Sequence, residues 1–436
     1  MRLNNNILGV LIAAIMTMGA ESLWAQSSSL NAYSPYTFYG IGDINEQGPA
    51  ITRAMGGASL GFRNPLYINS TNPASYSIIK NNCFLSNFDM EGQNVYAATT
   101  NAKTSNNSFN IRDISMAFPL GKGLGAGISV SPYSSVGYRV QYYDENPDVL
   151  AGIGQMLYAY GGSGDVTQFK GGVGWELLKG LSIGADLIYY HGNIERVYNA
   201  MPTVITGAGS YHSVNGTITE RINSFYASFG MQWTPIATAD NVLTIGATYQ
   251  MGGKMRGDRR EVVPVNQTLA PGINAVEKEG DLTYSMPNAM GVGFYYHRTK
   301  WSVGADWEFA DWGSRNKNDE TDILRFRNTN KISLGGQYTP NPGDVRNVLN
   351  RWTYRAGLRW AQNYVVLYDT PISDVALTMG VGIPLRMTGL SNINLGMEVG
   401  QRGVKNAKLI RERYLKFTIG FSFFGEDYWF MKVKYD

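Results

Sequence analysis

The chain has 436 residues, of which 16% are charged and 51 are glycine, whereas typical soluble domains have about 25% charged residues and about 7% glycine. The net charge of +3 is too small to indicate a nucleic-acid partner. The single cysteine, Cys83, excludes an internal disulfide framework. Three histidines far apart in the sequence do not have the spacing of a metal site, so we expect no metal and no cofactor. Low charge, abundant glycine and 28 tyrosines, with a mean hydropathy of −0.21, indicate an outer-membrane β-barrel rather than a helical membrane protein.

The N-terminus has the features of an export signal. Arg2 supplies a positive charge, an apolar run from Ile7 to Met16 follows, and small residues lead up to Ala25. We expect cleavage after Ala25, with residues 1–25 as the signal peptide, although Leu23 is atypical at a position that prefers a small residue. No second apolar stretch of about 18 residues follows. We therefore expect an exported protein, located in the outer membrane of a Gram-negative bacterium.

Residues 26–82 differ in composition from the rest of the chain. They are rich in glycine, asparagine, serine and proline and alternate only weakly between apolar and polar residues. They also contain apolar residues such as Ile41, Met55 and Phe62, which are unusual in a disordered leader. We expect this stretch, called the hatch below, to fold into the lumen of the barrel and plug it.

Residues 83–424 repeat one pattern, in which apolar and small or polar residues alternate. Trp301, Val303 and Trp307, for example, alternate with Ser302 and Asp306. Such alternation predicts strands with one lipid-facing side and one lumen-facing side. About fourteen such strands occur, and short connections alternate with long polar ones. The pattern predicts an all-β fold: a membrane-spanning antiparallel barrel of about 14 strands with short periplasmic turns and long outer loops.

Two further segments are predicted outside the barrel wall. The stretch Pro132–Ser163 is predicted as an outer loop, with a short helix at Asp148–Tyr160 because apolar residues there follow helical spacing. The stretches Asn199–His212 and Lys254–Glu279 are also predicted as outer loops. Residues 425–436 are aromatic and basic and are predicted to form a periplasmic C-terminal tail.

Several motifs together resemble one family. Ala54-Met55-Gly56-Gly57-Ala58-Ser59 and Ser70-Thr71-Asn72-Pro73-Ala74-Ser75 resemble the N-terminal hatch of the FadL/TodX-like outer-membrane transporters. Met286–Gly293 is similar to the family's proline-containing strand, and Trp301–Trp312 to its following aromatic strand. The resemblance implies a fourteen-stranded barrel closed by the hatch. It also implies passive uptake of hydrophobic molecules such as long-chain fatty acids, with release through the barrel wall.

The candidate site residues fall into three groups. The resemblance assigns the hatch and its gating to Asn72, Pro73 and Ala74. Alternation places a second group inside the lumen, where they would hold a ligand headgroup or the hatch, or form only a solvated polar network: Tyr190, Tyr226, Asp306, Glu308, Arg355 and Arg359. Pro132 and Gly137 are candidates for a strand kink, because proline removes a ladder donor and glycine weakens pairing. The resemblance implies a lateral opening at such a kink. A plain loop boundary is the alternative there.

No motif in the sequence indicates an enzyme. Gly57-Ala58-Ser59-Leu60-Gly61 matches the G-x-S-x-G pattern, but neither flank has the strand–turn–helix context that a nucleophile elbow requires. The leading hypothesis is therefore a passive transporter with an apolar pocket above the hatch, whose partners are a hydrophobic ligand and outer-membrane lipid. The alternative is a non-transporting barrel subunit that docks a secretion or outer-membrane assembly complex through its outer loops or its tail.

Overall fold

The computed structural model describes residues 32–80, 83–100, 102–205, 212–265, 275–317, 320–385, 391–405 and 409–426. The predicted signal peptide and nearly all of the predicted C-terminal tail lie outside these residues. Within the described part, no helix is both long and apolar enough to cross a membrane.

The elements are mostly strands, with a few helices of one or two turns. Three α-helices are present in the described ranges, α1 (Ala50–Arg53), α2 (Pro147–Gly152) and α3 (Trp312–Arg315), and 3-10 helices form at Pro35–Phe38, Pro73–Ile78 and Val348–Arg351. The strands are β1 (Asp43–Ile44), β2 (Cys83–Ala98), β3 (Lys103–Gly121), β4 (Leu124–Tyr143), β5 (Gly154–Leu178), β6 (Leu181–Ile205), β7 (Val214–Ala237), β8 (Asn241–Gln250), β9 (Gly253–Lys254), β10 (Gly257–Pro264), β11 (Ala275–Asp281), β12 (Ser285–Met286), β13 (Ala289–Arg298), β14 (Trp301–Ala310), β15 (Leu324–Phe326), β16 (Thr329–Tyr338), β17 (Thr353–Leu367), β18 (Thr370–Pro384), β19 (Asn392–Arg402) and β20 (Arg411–Glu426).

Fourteen of these strands form a closed antiparallel barrel, which confirms the predicted fold class. The wall runs from β2 to β8, through β13, β14 and β16, and from β17 to β20. The ring closes where β2 pairs with β20, from Cys83 opposite Glu426 to Ala98 opposite Arg411. The alternation explains this arrangement: Trp301 and Trp307 on β14 are exposed on the lipid side, whereas Ser302 and Asp306 are buried inside.

On one side of the barrel the strands extend well beyond the membrane. Strands β5 and β6 have 25 residues each, whereas about 9–11 residues are enough to cross a bilayer. Their outer halves pair with one another, and β10 and β11 continue the sheet from the outer half of β7. We call this extension the outer sheet.

The outer sheet corrects several predicted loops. Most of Pro132–Ser163, Asn199–His212 and Lys254–Glu279 is strand in the described residues rather than loop. The predicted helix at Asp148–Tyr160 is also wrong except for α2, because the chain enters β5 at Gly154. Pairing with neighbouring strands decides this outcome, since short apolar runs are compatible with either a helix or a strand.

The connection between β16 and β17 is a structured turn at the end of the barrel opposite the outer sheet. The Asp344 side chain accepts hydrogen bonds from the Asn350 amide at 2.7 Å and from the main-chain N–H of Arg346 at 2.8 Å and of Asn347 at 2.9 Å. These bonds favour the charged carboxylate and lower the pKa of Asp344 below its ordinary value. The turn is therefore kept folded above the ordinary aspartate pKa and loses this support as the pH falls through the lowered value.

Residues 32–80 of the hatch lie against the inner face of the wall. Their contacts concentrate at inward-facing glycines. A Cβ atom on Gly246 would lie 1.9 Å from the carbonyl oxygen of Leu60, and one on Gly335 would lie 2.1 Å from that of Met55. Glycine in these strands is therefore required by the close approach of the hatch backbone.

Candidate lumen site and wall seam

Asn72, Pro73 and Ala74 are buried at the point where the hatch meets β5, β6 and β7. Asn72 caps the 3-10 helix, because its side-chain oxygen accepts a bond from the Ala74 N–H at 3.1 Å. Its amide group donates to the Leu60 carbonyl at 3.0 Å and to the Met231 carbonyl of β7 at 3.2 Å. Proline at the first helical position suits its fixed φ. Asn72 therefore joins two parts of the hatch to the wall.

Asp306 on β14 anchors a second part of the hatch. Its carboxylate accepts hydrogen bonds from the main-chain N–H of Ser59 at 2.5 Å and of Leu60 at 2.8 Å. Both N–H groups lie in the Gly57–Gly61 motif, which forms a turn and not a nucleophile elbow. Of the three roles that the sequence leaves open for Asp306, the contacts match hatch anchoring.

Arg359 on β17 is the centre of the largest ionic cluster. Its guanidinium lies 2.6 Å from Glu398, 3.4 Å from Asp374 and 3.3 Å from Glu46 of the hatch. Lys331 extends the cluster, since its ammonium lies 2.5 Å from Glu46 and 3.0 Å from Glu308. The predicted lumen residues Glu308 and Arg359 are thus brought together, with Glu46 between them.

Two further ionic clusters hold the hatch, and the sequence analysis missed both. Arg53 of α1 lies 2.7 Å from Glu91 of β2, and the neighbouring Asp89 accepts the Ala50 N–H at 2.6 Å. The alternation of β2 already places Asp89 and Glu91 on one face, so this signal was available in the sequence.

The third cluster lies at the outer end of the barrel. Arg402 of β19 lies 2.5 Å from Asp43 of the hatch and 2.6 Å from Glu412 of β20. Its hatch partner could not be found from the sequence, because no local pattern connects residue 43 with residue 402.

A cavity of about 320 Å³ lies between the hatch and the wall. The sequence predicts an apolar pocket above the hatch, and the described cavity has a mixed polar and apolar lining. Its lining combines charged residues with apolar residues such as Leu60, Met290, Phe309 and Trp312, and the charged set includes Glu46, Arg112, Lys170, Glu308, Lys331, Arg359, Asp374 and Lys416. Lumen-facing positions of a barrel are polar by alternation, and the hatch adds polar groups of its own.

The remaining predicted lumen residues lie away from this cavity. Tyr190 and Tyr226 are buried in an apolar cluster towards the outer end, with ring centroids 5.6 Å apart, and Tyr133 packs on Tyr190 at 4.7 Å. Arg355 bonds to Asn394 at 3.1 Å and to Gln337 at 3.3 Å, and it does not line the cavity. These three residues therefore do not line the described cavity.

Pro132 and Gly137 lie on β4 where the wall is incomplete. Strand β4 pairs with β3 only as far as Val130, opposite Ile114, and its register with β5 shifts between Pro132 and Ser134. Beyond that point hatch residues, instead of β3, cover the edge of β4 that faces away from β5. We call this edge the seam. Strand β1 pairs there, with Asp43 opposite Ser135 and Ile44 opposite Ser134.

Main-chain contacts of the hatch continue on both sides of β1. The Asn45 N–H donates to the Tyr133 carbonyl at 2.8 Å, and the Ser34 N–H donates to the Gly137 carbonyl at 2.8 Å. A Cβ atom at position 137 would lie 1.8 Å from the Ala32 carbonyl oxygen. Glycine at 137 is therefore explained by the approach of the hatch to the seam.

Replacing Gly246 by alanine is expected to lower the free energy of unfolding by about 1–3 kcal/mol, because the added methyl group would collide with the hatch backbone. Gly280→Ala is the matched control, since no atom lies within 4 Å of the added Cβ. Urea titration in lipid vesicles measures both effects. Equal unfolding free energies for the two variants would contradict the close contact at Leu60.

Comparison with known proteins shows which solved structures share this fold. The chain is similar to the toluene transporter TbuX of Ralstonia pickettii, with 16% identity, a TM-score of 0.59, and coverage of 87% of this chain and 98% of that one. It is also similar to a FadL homologue of Pseudomonas aeruginosa, with 13% identity, a TM-score of 0.58 and coverage of 88% and 99%. The toluene transporter TodX of Pseudomonas putida matches with 17% identity, a TM-score of 0.58 and the same coverage. These likenesses confirm the FadL/TodX-like fold.

None of the curated proteins matches the sequence. The BamG family model matches residues 7–436. Since the match extends over nearly the whole sequence, the chain belongs to the BamG family.

Proposed function

We propose that the protein is an outer-membrane barrel that takes up hydrophobic small molecules passively and releases them sideways through the seam. The observation that carries the proposal is the pairing of β4, which leaves β3 after Val130 and is covered by β1 of the hatch instead. A gap in the wall that only a short segment covers can open without breaking barrel strands apart. The printed names of the solved neighbours, toluene transporters and a FadL homologue, agree with a hydrophobic ligand.

The cations that line the cavity favour a ligand with a negatively charged group. The cavity lies beside the seam, and its lining includes Arg112 and Lys170. Lys170 forms no ion pair with any described residue, and its ammonium contacts only the Ser70 carbonyl at 3.5 Å. A ligand with an anionic headgroup and an apolar tail, such as a long-chain fatty acid, would bind its headgroup to these cations. The tail would leave through the seam into the lipid.

Locking the seam is expected to block release. Ile44 and Ser134 are opposite each other in the β1–β4 register, and opposed residues of antiparallel strands are close enough for a disulfide. In a Cys83→Ala background, the Ile44→Cys/Ser134→Cys variant should lose uptake of radiolabelled oleate by whole cells when oxidised and regain it on reduction. Each single-cysteine variant, treated with the same oxidant, is the control.

Two results of the disulfide experiment would contradict the proposal. If wild type takes up oleate and the oxidised double variant takes up the same amount, the seam is not the exit. If wild type itself gives no uptake above cells that lack the protein, transport of this ligand is excluded and the second function below becomes the leading one.

A second candidate function is a non-transporting barrel that docks a secretion or outer-membrane assembly complex. Three ionic clusters tie the hatch to the wall, and the matching family model is BamG rather than one named for transport. Identifying lipids that co-purify with the protein by mass spectrometry, together with the stoichiometry of co-purifying proteins, separates the two functions. Bound fatty acids favour transport, whereas a stoichiometric protein partner without bound lipid favours docking.

A further inference from the structure

Directly above the seam, no strand among the described residues pairs with the edge of β4 that faces away from β5. Strand β4 continues to Tyr143, whereas its pairing with β3 ends at Val130. At about 3.3 Å per residue, roughly 35 Å of strand separates Gln141 from Val130. Phe169 on β5 pairs with Val130, and its exposed side chain is part of the apolar outer surface that faces the lipid. The end of β4 therefore lies outside the membrane.

The direction of the main-chain groups on this edge follows from the hatch contacts. The Gly137 carbonyl accepts from Ser34 and the Gly137 N–H donates to the Thr37 hydroxyl, so both main-chain groups of residue 137 point away from β5. Main-chain groups alternate in direction along a strand. Those of Gln141 and Tyr143 therefore also point away from β5, and no described residue pairs with them on that side.

The two edges of the outer sheet differ in chemistry. The opposite edge strand, β11, carries Glu277, Lys278, Glu279 and Asp281 in a row, which is a common protection of edge strands against unwanted pairing. Strand β4 has no acidic residue or lysine from Val140 to Tyr143, and the Tyr142 and Tyr143 side chains are 50% and 52% exposed. Between Arg139 and Asp144, β4 therefore lacks the row of charges that β11 has.

An aromatic row lies beside this edge. The Tyr142 ring stacks on Tyr158 at 5.4 Å and on Tyr160 at 6.3 Å, and Phe38 of the hatch contacts both Tyr160 and Tyr138. If a strand were added at this edge, every second side chain of that strand would lie on the same face of the sheet as these rings and would contact them. Cross-strand pairs of aromatic and β-branched residues of this kind stabilise a sheet.

We propose that the β4 edge at Gln141–Tyr143 is a docking site for an extended segment of a partner protein, which adds to the outer sheet as a strand. The hatch already uses the same edge in this way, because β1 pairs with β4 directly below. The row of tyrosines selects a segment in which aromatic or β-branched residues alternate with other residues and which lacks proline. This role is independent of whether the seam releases a ligand.

A peptide screen tests the proposal. The full-length protein in lipid nanodiscs is exposed to a phage-displayed library of random peptides, with empty nanodiscs as the background. Enriched peptides should show the alternating pattern and should slow hydrogen–deuterium exchange in the segment that contains Gln141 and Tyr143, but not in β11. Gln141→Pro removes one outward N–H and should weaken their binding about fivefold relative to Gln141→Ala, which keeps it.

Folding of each variant is checked by the faster gel migration of unboiled protein, and Tyr143→Pro replaces Gln141→Pro if the latter misfolds. The proposal is overturned if no peptide is enriched, if Gln141→Pro and Gln141→Ala bind enriched peptides equally, or if this segment is already protected in the isolated protein. It is also overturned in favour of a glycan platform if oligosaccharides bind and their binding is lost in Tyr142→Ser but kept in Gln141→Pro.

Discussion

Replacing Arg359 by alanine is expected to lower the free energy of unfolding of the barrel by about 3 kcal/mol. Removing one partner of a buried ion pair leaves the others without compensation, at a typical cost of about 3–5 kcal/mol. Here Glu398 at 2.6 Å, Glu46 at 3.3 Å and Asp374 at 3.4 Å all lose the same guanidinium. We expect the lower end of that range, because Arg359 lines the cavity, where water can hydrate the remaining carboxylates.

Urea titration in lipid vesicles measures this loss of unfolding free energy. Two further variants show whether the loss comes from the buried charges. Arg325→Ala removes an exposed ion pair with Asp369 at 2.8 Å, in which the side chains are 61% and 70% exposed, and should change the unfolding free energy by about 0–1 kcal/mol. Arg359→Met combined with Glu398→Gln should recover part of the loss, since it removes opposite charges together. A loss for Arg359→Ala no larger than that for Arg325→Ala would mean that the cluster does not hold the hatch.

Deleting Ser27–Tyr67 is expected to turn the barrel into an open channel for small polar solutes. The deletion removes the hatch partners of all three ionic clusters, namely Asp43, Glu46 and Arg53. It also removes the N–H groups that bind Asp306. The wall itself is held by strand pairing and its ring closes without the hatch. The lumen-facing groups that remain are polar and become hydrated, so ions can pass.

Planar-bilayer conductance compares the deletion with wild type and with the Asn72→Ala/Pro73→Ala variant. The double substitution removes the cap and the links of Asn72 to Leu60 and Met231, so we expect intermittent opening rather than a permanent channel. Faster gel migration of unboiled protein must be seen in all three. If the deletion stays folded and conducts no more than wild type, the hatch does not close the pore, and docking becomes the better hypothesis.

The barrel could be predicted from the sequence because its signal is local. Each strand alternates between a lipid-facing and a lumen-facing residue, and this alternation is visible in segments such as Trp301–Phe309 without knowledge of any partner. The same alternation places Asp306, Glu308 and Arg359 inside the lumen. The order of the hatch motifs, with Asn72-Pro73-Ala74 at their end, then indicates the fold family.

The role of each lumen residue could not be predicted, because it depends on contacts between distant parts of the chain. Arg359 and Arg355 have the same predicted orientation, yet Arg359 contacts the hatch through Glu46, whereas Arg355 contacts only wall residues among the bonds described. Tyr190 likewise lies in the outer apolar cluster and not at the cavity. Alternation predicts on which face of the wall a side chain lies. It does not predict how far along the barrel axis the side chain lies or which residues it contacts.

The sequence by itself determined the closed barrel and the inward position of its charged residues, since both follow from residue alternation. Only the tertiary structure decided that Pro132 and Gly137 lie at a seam covered by β1, that charged and apolar residues together line the cavity, and that most of the predicted outer loops are strands of one sheet. The physical reason is that strand pairing joins segments far apart in the chain. Whether a segment such as Val140–Tyr143 is a loop or an edge strand is therefore set by the neighbour it meets, not by its own residues.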